Sequence, residues 1–167
     1  TIKTSDREAT LKRVFEATEK GFILGTSGND TLSKMGKISE QKLGLVGNHA
    51  YSLMGVFKIG SEALLKLRNP WGHTVWKGPW SYGSKEWTSD VQKQLGAEQN
   101  PNDGSFFMSW RDFEKYFGTI NICRLNPLGL HSSLRMINNI RKSNYIQFKV
   151  TVPGTYSFFT CQENVRN

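Results

Sequence analysis

Two apolar, strand-like runs, residues 44–59 and 63–67, meet across Gly60-Ser61. Glycine tolerates the positive φ that a two-residue turn requires, so the pair reads as a tight β-hairpin. That hairpin constrains the chain more than any other feature, because it fixes which residues share one end of a sheet. A two-residue loop places Asn69, just past the second run, opposite Ser52 on the first. His49 then lies three residues further along, about 10 Å at strand rise. Side-chain reach, sheet twist or a bulge has to close that gap.

A histidine and an asparagine at one sheet end are two members of a Cys-His-Asn catalytic set. The thiolate is the nucleophile in such a set, and the histidine takes the thiol proton and later protonates the leaving amine. Imidazole suits both tasks because it titrates near neutrality. The asparagine amide oxygen accepts a hydrogen bond from the other ring nitrogen and orients the ring. Trp71, two residues beyond Asn69, is placed to keep water from that bond. The third member, a cysteine upstream of the histidine, does not occur in these residues. Cys123 and Cys161 both follow it, inside apolar strand patterns, with no Cys-x-x-Cys or Cys/His metal spacing. Both read as buried thiols rather than a disulfide, which fits a reducing, intracellular compartment. His73 and His131 sit in polar loops and read as surface residues.

The surrounding pattern is α+β. Ser5-Asp6-Arg7-Glu8 resembles a capping box opening a helix over residues 5–20, with Leu11, Val14, Phe15 and Thr18 at helical spacing and Gly21 as a left-handed stop. Phe22-Ile23-Leu24 reads as a short buried strand, and 25–42 as a long loop ending before His49. Residues 70–90 read as turns anchored by tryptophans, and Asn100-Pro101-Asn102-Asp103-Gly104 as a turn. Phe106-Phe107-Met108 reads as a strand. Ser109-Trp110-Arg111-Asp112 caps a helix with Trp110, Phe113 and Phe117 on its apolar face, closed by Gly118. A strand at 119–125 follows, and Asn126-Pro127 ends a first domain, 1–127. Residues 128–167 read as a linker and the start of a β-rich module, with a hairpin pattern over 145–161.

Composition narrows the function. The net charge of +8 invites a nucleic-acid partner. No Lys/Arg-dense run longer than a pair, no recognition-helix signature and no zinc spacing supports one, so none is expected. Half of the excess lies after Pro127, in Arg135, Arg141, Lys142, Lys149 and Arg166 against Glu163. That basic tail reads as a solvated face, or, more sharply, as a docking face for an anionic membrane or an acidic partner. No apolar run approaches a membrane span and no leader opens the chain. There is no phosphate-binding glycine loop and no EF-hand, so no cofactor follows from motifs.

The segments Gly44-Leu45-Val46-Gly47-Asn48-His49-Ala50-Tyr51-Ser52, Leu67-Arg68-Asn69-Pro70-Trp71-Gly72, Trp76-Lys77-Gly78-Pro79-Trp80 and Asp103 through Phe113 together resemble the calpains. Their order and spacing are similar to the second half of the calpain protease core, over roughly residues 8–127. The resemblance implies the β-rich second half of a papain-like cysteine protease core, an antiparallel sheet with a few helices. It implies His49 as the catalytic histidine, Asn69 as its orienting residue and Trp71 as shield and cleft wall. It implies a protein or peptide substrate, a nucleophilic cysteine in a preceding subdomain of the same protein, and a calpain-like endopeptidase of the cytoplasm whose second half alone is inactive. The alternative it leaves is a non-catalytic scaffold or peptide-binding relative. The tail is similar in position to the β-sandwich (C2-like) module that follows the core. Calcium is expected at family level, with acidic ligands at positions 75, 82, 103 and 105. Here these are Val75, Tyr82, Asp103 and Ser105, leaving Asp103 as the remnant of a degenerate metal site.

Overall fold

The computed structural model describes residues 2–3, 6–97, 102–124, 147–154, 156 and 158. The chain divides into two compact units, 1–128 and 129–167. The first is built on one six-stranded antiparallel sheet. Its strands are β1 (Ile2–Lys3), β2 (Ile23–Gly28), β3 (Ala50–Ile59), β4 (Glu62–Arg68), β5 (Ser105–Ser109) and β6 (Phe117–Cys123), in the spatial order β1-β6-β2-β3-β4-β5. The helices are α1 (Arg7–Glu19), α2 (Asp30–Met35), α3 (Lys37–Leu43), α4 (Ser89–Leu95) and α5 (Trp110–Tyr116). The fold is therefore α+β and β-rich. No described helix is long and apolar enough to cross a membrane.

β4 and β5 are apolar on both faces because each face carries its own core. Leu65, Leu67, Phe106 and Met108 join Val14 and Ala17 of α1, Leu53 of β3 and Trp76 in one cluster. The alternate residues Leu64 and Phe107 join Trp87, Val91 and Leu95 in another, beneath α4. A strand buried on both sides shows a continuous apolar run rather than alternation, as Phe106-Phe107-Met108 does. Of the five tryptophans, Trp76, Trp87 and Trp110 are buried, whereas Trp71 is 52 % exposed.

The hairpin turn is the expected one: Ile59 faces Glu62, and Gly60 has φ +58°. The register then shifts between Leu53 and Gly55, so that Ser52 faces Arg68. This bulge at Met54 moves the end of β4 one residue nearer to His49 than a regular ladder would. β3 also begins at Ala50 rather than at residue 44, so His49 lies in the loop that enters the strand.

Other expectations need correction. Asp6 caps α1, its carboxylate accepting from the Ala9 N–H at 3.1 Å; Ser5 lies outside the described residues. Phe15 is 55 % exposed, because the buried stripe of α1 runs through Thr10, Val14 and Ala17. The strand at 22–24 extends to Gly28, and Ile23 is exposed. The segment 25–42 is not a loop: past Gly28, Asn29 caps α2 through the Leu32 N–H, and α3 follows. α4 had no counterpart in the sequence reading. α5 is capped by Ser109 as expected, but it ends at Tyr116 and Phe117 opens β6 directly, so Gly118 lies in a strand. Cys123 is exposed, not buried, since it is the last residue of β6, opposite the exposed Ile23. Cys161, His131, Asn126-Pro127 and most of the basic tail lie outside the described residues. In the second unit, residues 147–154 carry no strand, and the remainder of the 145–161 pattern is only partly described. There Phe148 stacks on Phe158 at 4.3 Å.

Candidate active site

His49 and Asn69 leave the sheet from neighbouring strands at the same end. The His49 carbonyl accepts a hydrogen bond from the Gly28 N–H at 3.4 Å, fixing its backbone to the end of β2. The preceding residue, Asn48, adopts φ +50°, a conformation asparagine tolerates better than most residues. The Ser33 hydroxyl donates to the Asn48 side-chain oxygen at 2.9 Å, so α2 holds the turn that presents the imidazole. On the other side, the Asn69 N–H donates to the Gly104 carbonyl at 2.8 Å. Gly104 has φ +82°, and a side chain there would collide with the Asn69 carbonyl, so only glycine allows this approach.

The side chains meet. Nε2 of His49 lies 2.9 Å from Oδ1 of Asn69, which is fully buried. The amide orientation is dictated by its own partners. Nδ2 of Asn69 donates to the His73 carbonyl at 2.7 Å and to the Thr74 carbonyl at 3.0 Å. Oδ1 therefore faces the imidazole and also accepts the Trp71 N–H at 3.1 Å. An amide oxygen only accepts, so the Nε2 of His49 must carry the proton it donates. Nδ1 is left as the ring's basic nitrogen. The Trp71 indole lies over the imidazole with centroids 4.3 Å apart, and Tyr51 meets it edge-on at 5.0 Å. Trp71 is about half exposed as a residue, so it packs on the imidazole while remaining part of the surface. His73 is exposed, and its Nδ1 is 2.9 Å from the Thr74 hydroxyl.

This geometry can orient a base toward an incoming acid. A sequence profile of the calpain family of cysteine proteases matches residues 1–124. The chain belongs to the calpain family. It is 36 % identical over 120 residues to the calpain-type cysteine protease DEK1 of Arabidopsis thaliana, covering 70 % of this chain and 5 % of that protein. It is 38 % identical over 125 residues to mouse Calpain-9 (71 % and 18 %) and 34 % identical over 159 residues to rat Calpain-8 (84 % and 22 %). The chain thus spans less than a quarter of the length of these calpains.

Cys123 lies far from His49 along the sheet. It pairs with Ile23, whereas Ser27 of the same strand β2 pairs with Ala50 beside His49. Four residues of strand separate these positions, about 13 Å.

The calcium expected at family level finds a poor set of donors. Among positions 75, 82, 103 and 105 only Asp103 is a carboxylate, and its Oδ1 already accepts the Ser105 N–H at 2.8 Å. Calcium takes roughly six to eight oxygen ligands, so these residues do not fit it. Among the described residues no group of three or more His, Cys, Asp or Glu could hold a metal ion.

Sequence reasoning named His49, Asn69 and Trp71 but missed the residues that position them. Asn48 carried a signal, as a left-handed-tolerant residue next to the histidine. Ser33, Tyr51 and the carbonyls of His73 and Thr74 carried none, because their roles arise from tertiary contacts.

Proposed function

We propose that this chain contributes the general base and its orienting amide to a calpain-like cysteine endopeptidase acting inside the cell on proteins or peptides. His49 Nδ1 takes the proton of a cysteine thiol and returns a proton to the leaving amine; Asn69 holds the ring through Nε2; Trp71 covers that bond and forms one wall of the cleft. The observation that carries this reading is the 2.9 Å contact of His49 Nε2 with an amide whose orientation two backbone carbonyls fix. The position of Cys123 at the far end of β2 supports a nucleophile from a separate subdomain of the same protein. Cys123 as a free thiol supports a reducing compartment.

The test is a chimera in which residues 1–124 replace the matching segment of mouse Calpain-9. Peptide hydrolysis is expected, with His49→Ala reducing kcat by about three orders of magnitude or more. Asn69→Ala should also reduce kcat, by a smaller factor. This chain alone, given peptide and calcium, should show no turnover. A folded chimera that retains hydrolysis after His49→Ala overturns the reading.

The second reading is a peptide-binding relative without catalysis. It is favoured by the half-exposed Trp71 and by an open recess of about 1000 Å³ lined in part by His73, Thr74, Tyr82 and Trp87. A folded chimera that binds peptide without cleaving it would select this reading.

A further inference from the structure

The family resemblance implies an acidic calcium ligand at position 82, where this chain carries Tyr82. We propose that Tyr82 is a metal-free strut that holds the 102–105 turn, and through it Asn69, so that the His49–Asn69 pair is assembled without calcium. The proposal rests on the functional reading above only for its consequence, which is a protease half that calcium does not switch.

The phenol ring sits where the two apolar clusters meet and packs against both. It meets Trp87 edge-on, with centroids 4.9 Å apart. Its hydroxyl lies 3.4 Å from the Ser105 hydroxyl, and Ser105 is 1 % exposed. Ser105 and its neighbours form a closed turn. Asp103 Oδ1 accepts the Ser105 N–H, Arg68 Nε donates to the Asp103 carbonyl at 2.9 Å, and the Gly104 carbonyl accepts the Asn69 N–H. Tyr82 therefore reaches Asn69 through one buried serine and one turn. It is a positioning residue, not a catalytic one.

The same contacts act against a cation. Val75 offers no side-chain oxygen, and the phenol and hydroxyl are neutral. Lys66 and Arg68 place positive charge beside the single carboxylate of Asp103. A divalent ion entering here would meet two cations and one carboxylate with an oxygen already engaged. An aromatic wedge supplies what a multidentate ion otherwise supplies, a link between two loops that the sheet does not join.

Two measurements on the full chain test this, and neither needs turnover. Calorimetric titration with calcium chloride should give no saturable heat, and the thermal midpoint should agree within about 1 °C in calcium and in chelator. Saturable binding, or a rise of several degrees of the kind a ligand well above its Kd produces, overturns the proposal. The second measurement is the NMR signal of the His49 Nε2–H proton. It should be weakened in Tyr82→Phe, which keeps the ring but removes the Ser105 contact, and be lost in Tyr82→Ala. It should persist in Val14→Ala, which weakens the core under α1 away from the strut. Tyr82→Leu replaces Tyr82→Ala if the latter does not fold. A folded Tyr82→Ala or Tyr82→Leu variant with the His49 signal unchanged overturns the strut. A chimera without turnover but with these results intact would remove the catalytic reading and leave the strut standing; saturable calcium binding by the full chain beside an active chimera would do the reverse.

Discussion

The phenol oxygen of Tyr51 accepts a hydrogen bond from the backbone N–H of Val46 at 2.7 Å. Both residues are buried, so the bond closes the loop that carries Asn48 and His49 within the core. Tyr51→Phe keeps the ring's packing against Phe106 and Phe117 but leaves a buried N–H without an acceptor. The expected cost is about 1–3 kcal/mol. Denaturant unfolding should show a lower midpoint at an unchanged slope, which is the signature of lost stability rather than altered compactness.

Burial pushes the Tyr51 phenol up to about 12, against the Val46 N–H, which favours ionisation; Glu40 adds a small further rise. Tyr51 is therefore neutral wherever the protein operates. The linkage sign follows. Between the ordinary value of 10.0 and about 12, the unfolded chain has released a proton that the folded chain keeps. The unfolded state then binds fewer protons, so stability falls as pH rises through this window, by at most about 1.4 kcal/mol per pH unit. Subtracting the Tyr51→Phe profile from the parent's isolates this residue. A parent and variant with parallel alkaline limbs would contradict the burial argument.

The hairpin of β3 and β4, the strand β5 and the cap of α5 were legible because each carries a dense local signal: a glycine turn, a run of aromatics, or a serine three residues before an aspartate. α2, α3 and α4 were not. They are six or seven residues long, and each buries only one or two side chains, such as Leu32 in α2 or Val91 and Leu95 in α4. No period can emerge from so few positions. The bulge at Met54 was invisible for a different reason. It interrupts the β3–β4 ladder next to the stretch of β3 that pairs with β2, and the pairing with β2 is not written in the local sequence. The candidate site was legible in its chemistry, His49 and Asn69, and illegible in its support. A ring and an amide announce themselves by type, whereas the carbonyls of His73 and Thr74 are backbone and could belong to any residue.

Asp103 links pH to the turn that holds Asn69. The Ser105 hydroxyl, then its N–H, hold the Asp103 carboxyl below the usual range, and the charges of Lys66 and Arg68 lower it further. A carboxyl lowered in the folded state adds stability above its ordinary value of 3.8, and that contribution is lost as pH falls through the lowered value. Asp103→Asn can still accept the Ser105 N–H but cannot titrate. Acid unfolding of this variant should therefore be less steep than the parent's below about pH 4. Because Asp103 is exposed, the difference should shrink as salt is raised.

Asn69 tests whether the site wants a hydrogen-bond pattern or a charge. A carboxylate would attract the His49 imidazolium, and on charge alone Asn69→Asp would strengthen the pair. The structure predicts the opposite. Nδ2 donates to two carbonyls, those of His73 and Thr74, and Asn69 is fully buried. An aspartate turns an acceptor toward both, with no donor to satisfy either. Asn69→Ala leaves the same carbonyls unpaired, at about 1–3 kcal/mol for each group that stays buried, but introduces no repulsion and leaves space for water. Asn69→Asp should therefore be the less stable of the two at neutral pH. It should recover part of the difference on acidification, because a protonated carboxyl regains one donor. Thermal midpoints of both variants at pH 7 and pH 5 decide the matter. An aspartate variant more stable than the alanine variant at pH 7 would show that charge, not the amide's two donor bonds, governs this position.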